Sequence, residues 1–141
     1  MKVLDSIINF LPSFEVYAHC DIPCGIYDPK GAQIAAATVL KMVQKIKELP
    51  QNSELSTLNS LTRMVMVKEE HGRICKNELF ILWADYFKPE HLEKFPDLHD
   101  KFWKAVKLVS KNKQSVDEDL ANELVKAVDE IAEMFEQSKQ K

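Results

Sequence analysis

Apolar residues recur along most of this chain at alternating spacings of three and four positions, the period of an amphipathic α-helix. The pattern predicts one helix over residues 29–48, a long second helix over 54–87, a third from beyond 96 to near 110–114, and a fourth after 115. A compact turn with one short helical piece separates the second and third helices. No stretch has the pattern of a convincing strand. The predicted fold is therefore all-α: an antiparallel up-and-down four-helix bundle.

Each predicted helix has an apolar stripe that we expect to face the core. In chain order the stripes are Ala35, Val39, Met42, Ile46 and Leu49; Leu58, Leu61, Val65, Cys75, Leu79, Leu82 and Tyr86; Leu98, Phe102, Ala105, Val106 and Val109; and Leu120, Leu124, Ala127, Val128, Ile131 and Phe135.

Local signals mark three further features of the helices. Asp28 and Pro29 favour the start of the first helix. Gly72 predicts a kink or a close helix contact. Ser115 and Glu118 have the spacing of a capping box before the fourth helix.

Composition narrows the class of protein. The 141 residues make one ordinary domain, and 45% hydrophobic with 29% charged residues is a soluble globular balance. The formal net charge is −3 without a Lys/Arg block, so no nucleic-acid partner is expected. No apolar run reaches the roughly 18 residues that span a bilayer, so no membrane partner is expected either. Three cysteines do not make a disulfide framework and favour a reducing compartment or a metal.

One segment, residues 19–29, is not explained by packing, and we call it the hook. His19, Cys20 and Cys24 lie within six residues, and imidazole with thiolates suits a late first-row transition metal. Pro23 and Gly25 flank the second thiol, so the chain can fold back and bring both sulfurs to one ion. The hook precedes the first helix and should lie at one end of the bundle.

These residues alone leave three hypotheses open. The chain is a nickel redox enzyme, or a non-catalytic helical module that binds zinc or copper through His19, Cys20 and Cys24, or a structural bundle in which Cys20 and Cys24 form a redox-labile disulfide. Residues 1–18 are equally open, as a leader or as an ordinary first helix. They make a poor secretion signal, because Lys2 is the only basic residue and Asp5 interrupts a short apolar stretch.

The hook closely resembles the N-terminal motif of the nickel-containing superoxide dismutases, His-Cys-Asp-x-Pro-Cys-Gly-x-Tyr-Asp-Pro, and every fixed position is matched. Residues 82–89, Leu-Trp-Ala-Asp-Tyr-Phe-Lys-Pro, are also similar to the family. The resemblance covers nearly all of the chain from His19 onward. It implies an enzyme that disproportionates superoxide to dioxygen and hydrogen peroxide by Ni(III)/Ni(II) cycling, with one nickel ion per subunit and hexamers of four-helix bundles.

The resemblance also implies how the site is made. A peptidase removes residues 1–18 as a leader, which leaves 19–141 as the mature domain and frees the α-amine of His19. That amine, the backbone nitrogen and thiolate of Cys20, and the thiolate of Cys24 are the implied nickel ligands, and the His19 imidazole joins them when the metal is oxidised. We expect a cytoplasmic location, because the leader is a poor secretion signal and the thiols must stay reduced until they are loaded.

Asp21 and Tyr27 match family positions beside the metal and are the candidate catalytic residues. A phenol with an ordinary pKa of about 10 is a neutral donor at pH 7, so Tyr27 is the better candidate for gating a small anion. Tyr86 is expected to approach the same entrance. Where well-known members have a glutamate and an arginine that brace the imidazole, ungapped spacing places Ala35 and His71 here.

The third cysteine, two histidines and several aromatic residues are expected to have structural roles. Cys75 is expected to be a small buried apolar group. His91 and His99 flank a proline turn, where surface or capping roles are expected. The other aromatic residues of this region are expected in the core or at a subunit interface: Trp83, Phe87, Phe102 and Trp103.

Overall fold

The computed structural model describes residues 25–140, which form an all-α bundle. Helix α1 is Lys30–Lys47, α2 is Leu55–Ile81, α3 is Leu98–Gln114 and α4 is Glu118–Ser138. A π-helical turn, Leu82–Tyr86, extends α2, and a 3₁₀ turn, Pro89–Leu92, follows it. Helix α1 packs on α2 and α4, and α3 packs on the same two helices. These neighbours confirm the predicted four-helix bundle, and the described residues contain no strand.

Helix α1 begins as its sequence predicts. The Asp28 Oδ1 atom accepts a hydrogen bond from the Lys30 backbone N–H at 2.8 Å, and the Pro29 carbonyl accepts the first helical bond from Gln33 at 3.1 Å. Lys45 and Lys47 lie in the last turn, where cations stabilise the helix dipole. The start of α1 is therefore well defined, and this matters because the hook joins the bundle there.

The core stripes of α3 and α4 are confirmed, except that Leu120 and Ala127 are only partly buried. On α1 the buried stripe is Ala32, Ala35, Ala36, Val39 and Val43, whereas the predicted Met42, Ile46 and Leu49 are partly exposed. On α2 the prediction is wrong for Leu58, which is 45% exposed, and Leu61 and Val65 are partly exposed. No described helix is long and apolar enough to cross a membrane.

The exposed start of α2 follows from unequal helix lengths, 27 residues in α2 against 17 in α3. The last residues of α3 meet α2 at Lys68, whose ammonium donates to the carbonyl oxygens of Asn112 at 2.6 Å and Lys113 at 3.0 Å. Residues 55–67 therefore extend past the end of α3 and lack its cover. Lys68 is 2% exposed and supplies donors to carbonyls that α3 cannot satisfy itself.

Gly72 lies one turn further along α2, at the same contact. A Cβ atom at this position would lie 3.0 Å from Cγ of Lys113, so the bare glycine lets the two helices approach. The expected close helix contact at Gly72 is confirmed.

The predicted capping box before α4 is wrong. The Ser115 hydroxyl donates to the Lys111 carbonyl at 3.0 Å and so belongs to the end of α3. Asp117 is the N-cap instead, because its Oδ1 atom accepts from the backbone N–H groups of Asp119 at 2.9 Å and Leu120 at 3.1 Å. The two-residue difference arises because Ser115 is the C-cap residue of α3, with extended backbone angles.

Replacing Asp117 with alanine is expected to lower the free energy of unfolding by about 1 kcal/mol, because two backbone donors of α4 lose their acceptor. Ser115→Ala is the matched control and is expected to have a smaller effect, because its hydroxyl adds one bond to an exposed carbonyl. Urea unfolding monitored by circular dichroism measures both. A larger loss for Ser115→Ala would contradict the assignment of the cap.

Candidate metal centre

The described chain begins directly after Cys24, at the end of the bundle where α1 starts. Gly25 has φ of +70°, a backbone conformation that glycine adopts without the strain of a side chain. The chain therefore bends immediately after the second thiol, where the Pro-Cys-Gly sequence predicts a turn. His19, Cys20, Asp21 and Cys24 themselves lie outside the described residues.

Tyr27 holds the end of the hook against the bundle. Its ring is partly buried against the core, and its centroid lies 5.5 Å from that of Tyr86. Tyr86 in turn packs on Phe135 of α4, with centroids 4.4 Å apart. Tyr86 therefore contacts Tyr27 within one chain and links it to α4. The predicted approach of Tyr86 to the entrance of the metal site involves residues outside the described range and stays a prediction.

The hydroxyl of Tyr86 has a defined hydrogen-bond direction. The Ser138 hydroxyl donates its one hydrogen to the Phe135 carbonyl at 2.6 Å, so the Tyr86 phenol donates to Ser138 Oγ, also at 2.6 Å. This chain of bonds ties the turn after α2 to the last turn of α4. It keeps the ring that supports Tyr27 in one orientation.

The π-helical turn sets the position of Tyr86. The Phe87 N–H donates to the Leu82 carbonyl at 3.0 Å, five residues back, so this turn contains one residue more than an α-helical turn. Leu82 and Phe87 remain in the core while Tyr86 is only partly buried. The second sequence signature is thus a structural support for the hook. The periodicity did not distinguish this wide turn from an ordinary end of α2.

The two histidines beside the proline turn have local roles, as expected. His91 Nδ1 accepts from the Lys88 backbone N–H at 3.0 Å and caps the 3₁₀ turn. His99 is exposed, and its Nδ1 accepts from the indole N–H of Trp83 at 2.8 Å. Phe87 and Phe102 are buried, Trp83 packs against the core, and Trp103 is 54% exposed.

The described part of the chain contains no group of three His, Cys, Asp or Glu side chains that could hold a metal ion. Cys75 is fully buried, as predicted, and burial together with the charge of Glu78 raises the pKa of its thiol to about 12. His71 Nδ1 is bonded to the Val67 carbonyl at 3.0 Å, and Ala35 is buried.

The described residues form an all-α bundle in which residues 25–29 lead into α1, and comparison with known proteins gives its family. Residues 14–139 match the family model described as nickel-containing superoxide dismutase. Two curated relatives are the nickel superoxide dismutases of Streptomyces seoulensis and Streptomyces coelicolor. Each is 36% identical over 130 residues, which are 92% of this chain and 95% of the relative. The chain belongs to the nickel-containing superoxide dismutase family.

Solved structures agree with this assignment. The nickel-containing superoxide dismutase with the nickel ligation of the oxidised state is 35% identical, has a TM-score of 0.78, and is matched over 87% of this chain and 100% of its own. Two other matches are variants that replace an aspartate at the third residue and a tyrosine at the ninth. Both are 32% identical with a TM-score of 0.78, over 87% of this chain and 100% of theirs.

A further structure replaces a histidine that is the first residue of its chain. It is 30% identical, with a TM-score of 0.73, over 82% of this chain and 100% of its own. Family and fold together make this chain a superoxide dismutase that uses nickel, and a zinc or copper module without catalysis is not favoured.

Proposed function

We propose that the nickel ion is held by the hook: by the α-amine of His19, the backbone nitrogen and thiolate of Cys20, and the thiolate of Cys24, with the His19 imidazole as a further ligand. The observation that carries this proposal is the sequence of the hook, which places His19, Cys20 and Cys24 within six residues of a chain that belongs to a nickel enzyme family. The hook offers adjacent imidazole and thiolate groups.

The donor set fits the metal. Bound nickel would supply one-electron redox chemistry, which the disproportionation of superoxide to dioxygen and hydrogen peroxide requires. Thiolate sulfur and an anionic amide nitrogen are strong donors, and such donors are needed to bring the trivalent state within a biological range of potential. Gly25 is not a proposed ligand. Its left-handed φ supports the proposed site because it bends the chain directly after Cys24.

Tyr27 and Asp21 are proposed to act on the substrate and on protons. The phenol of Tyr27, in a ring that the Tyr86 contact fixes, would present a neutral hydrogen-bond donor to an incoming superoxide anion. Asp21 would order water that delivers the two protons of hydrogen peroxide. In the related structures the varied histidine, aspartate and tyrosine are the first, third and ninth residues, and His19, Asp21 and Tyr27 have this same spacing.

We further propose that a peptidase cuts between Ala18 and His19. In the related structure the histidine is the first residue, which supports a mature chain that begins at His19. Residues 19–141 are about 87% of this chain, the same share that covers solved chains over their full length. The thiols must be reduced when they meet nickel, and a cytoplasmic location is proposed for that reason.

A homohexamer is proposed from the resemblance to the family, with exposed apolar side chains as support. Leu55 is 84% exposed and Met66 67% exposed on the part of α2 that extends past α3, and Trp103 is 54% exposed on α3. Association of several bundles would cover such surfaces.

Native mass spectrometry of the purified protein tests these proposals together. The expected result is an assembly of six chains, each beginning at His19 and each carrying one nickel ion, with superoxide dismutase activity. Metal removal by a chelator is expected to abolish the activity and leave the helical circular dichroism signal. An active nickel protein whose chains still begin at Met1 would contradict the proposed ligand set, because the α-amine of His19 would not exist.

A further inference from the structure

A continuous row of aromatic rings runs from Tyr27 through the bundle to the surface between α2 and α3. We call it the aromatic row, and in order its members are Tyr27, Tyr86, Phe87, Phe102 and Trp83. The successive ring centroids are 5.5, 5.0, 5.5 and 5.7 Å apart. These distances are typical of aromatic rings in direct contact. The row therefore joins the end of the hook to Trp83 without a gap.

The far end of the row is hydrogen-bonded to a base. The indole N–H of Trp83 donates to Nδ1 of His99 at 2.8 Å. An indole nitrogen can only donate, so Nδ1 of His99 carries no hydrogen and presents its lone pair to the indole. His99 is exposed, whereas Trp83 is partly buried against the core. The row thus ends at a proton acceptor that is open to water.

This order of rings suits the movement of single electrons. Phenol and indole are the aromatic side chains that lose an electron to a strong oxidant most readily, and the phenyl ring resists oxidation. Tyr27 and Tyr86 stand at one end of the row and Trp83 at the other. The two phenylalanine rings between them fill the space that water would otherwise occupy, and an electron tunnels more readily through packed rings than through water.

The proton acceptors favour the Trp83 end. An indole that loses an electron becomes a strong acid at its N–H group, and the imidazole of His99 is a base that can take this proton. The phenol of Tyr86 instead donates to the Ser138 hydroxyl at 2.6 Å, and a hydroxyl is a poor base. An oxidising equivalent is therefore held better by Trp83 with His99 than by Tyr86.

The substrate and the product of the enzyme together supply a strong oxidant. In the presence of a redox-active metal, superoxide and hydrogen peroxide yield dioxygen, hydroxide and a hydroxyl radical. Such an oxidant formed at the hook would oxidise the thiolates of Cys20 and Cys24, and the higher oxidation states of cysteine are irreversible. Tyr27 is three residues along the chain from Cys24 and belongs to the aromatic row.

We propose that the aromatic row protects the enzyme by transferring oxidising equivalents from Tyr27 to Trp83 and His99 at the surface. The hydroxyl radical takes a hydrogen atom from the Tyr27 phenol, which forms water and a phenoxyl radical. One electron then moves from Trp83 along the row to this radical, which regains its proton from water and leaves hydroxide. The indole proton moves to Nδ1 of His99, so Trp83 becomes a neutral radical.

Superoxide restores the surface pair. It gives one electron to the Trp83 radical and leaves as dioxygen, while His99 returns the proton to the indole nitrogen. The complete sequence converts two superoxide anions and one hydrogen peroxide into two dioxygen molecules and two hydroxide ions. This inference rests on the proposed function, in which the hook holds nickel and Tyr27 lies beside it.

The test uses the nickel-loaded protein and four variants: Trp83→Phe, His99→Gln, Tyr86→Phe and Trp103→Phe. Trp103→Phe is the matched control, because Trp103 also lies at the surface but its ring faces the Lys107 ammonium at 5.6 Å and is not part of the row. Each protein is supplied with superoxide and added hydrogen peroxide. Peptide mass spectrometry then measures the oxidation of each aromatic residue and cysteine, beside the activity that remains. A second sample receives hydroxyl radicals made in bulk water by radiolysis.

During turnover, oxidised tryptophan is expected several-fold more at Trp83 than at Trp103, although Trp103 is 54% exposed. Radicals from bulk water should reverse this order, because they attack according to exposure. Trp83→Phe should begin with normal activity and lose it several-fold faster, with the oxidation moved to Tyr27 and the hook cysteines. Trp103→Phe should behave as the unsubstituted protein.

The other two variants test the steps of the transfer. His99→Gln keeps an oxygen that can accept from the indole N–H but removes the base, so the oxidation of Trp83 should fall and that of Tyr27 should rise. Tyr86→Phe keeps a ring in place but removes an oxidisable one, and it should also lower the oxidation of Trp83. Circular dichroism checks that both variants are folded.

Two results overturn the inference while the proposed function stands. One is an active nickel enzyme in which Trp103 is oxidised as much as Trp83 during turnover. The other is a Trp83→Phe protein whose cysteines and Tyr27 are oxidised no faster than those of the unsubstituted enzyme. A purified protein without nickel-dependent activity would instead refute the proposed function, and the inference would fail with it.

Discussion

Replacing either Cys20 or Cys24 with serine is expected to abolish superoxide dismutation while the helical bundle stays folded. A hydroxyl is a hard, weakly donating ligand, so the substitution removes the thiolate donation that makes trivalent nickel accessible. The fold should survive because the core is built from α1 to α4, whose described residues pack together without these side chains. A loss of activity of several orders of magnitude is expected.

Cys75→Ala is the control for this experiment, because it removes the third cysteine, which is buried in the core and is not one of the proposed ligands. It should keep nickel and activity with a modest loss of thermal stability. Circular dichroism checks the fold of all three variants, and metal analysis checks their nickel. A Cys20→Ser or Cys24→Ser protein with near-normal nickel-dependent activity would show that the hook thiolates are not the ligands that support turnover.

The full-length chain is expected to be an inactive precursor. While Ala18 is attached, the nitrogen of His19 belongs to a peptide bond and its lone pair is delocalised into the carbonyl. It is then a poor metal donor. Cleavage turns it into an amine with an ordinary pKa of about 7.7 to 8.0, which loses its proton at little cost near neutral pH. The cut therefore creates a ligand.

Two preparations measure this effect: the uncut chain from Met1, and the same chain cut so that it begins at His19. Both are reconstituted with nickel under reducing conditions and assayed at equal protein concentration. A third preparation that begins at His19 but carries an acetylated α-amine is the matched control, because it has lost the leader without gaining the amine. If the acetylated form is fully active, the leader acts only as an obstruction and the α-amine is not a ligand.

Much of the fold could be predicted because the apolar periodicity within most helices matches the residues that the core buries. The stripes of α3 and α4 repeat cleanly, and nine of their eleven predicted residues are buried. The prediction failed where burial depends on a distant part of the chain. Leu58 has the correct spacing for a core residue, but α3 ends at the level of Lys68, so nothing from α3 covers it. Periodicity within one helix carries no information on the length of its neighbour.

Some features around the candidate site could also be predicted from the sequence, and others could not. Ligand types and their spacing are local properties, so the hook could be proposed from the sequence, and the resemblance to the family added the role of Tyr27. The close approach of Glu78 to Gly31 could not, because only the structure shows that a Cβ atom at Gly31 would lie 2.9 Å from the Glu78 Oε2 atom. Lys68 was missed for the same reason, since its carbonyl partners lie 44 and 45 residues away.

The deep burial of Cys75 has a consequence for the durability of the enzyme. Each turnover of a superoxide dismutase releases hydrogen peroxide, which oxidises the thiolate form of cysteine first to a reversible sulfenic acid and then to the irreversible sulfinic and sulfonic acids. With a pKa raised to about 12, on the order of one Cys75 thiol in 10⁵ is ionised at neutral pH, and the residue is fully shielded from solvent. A sulfur atom that packs in the core is thus protected from the product that the enzyme generates.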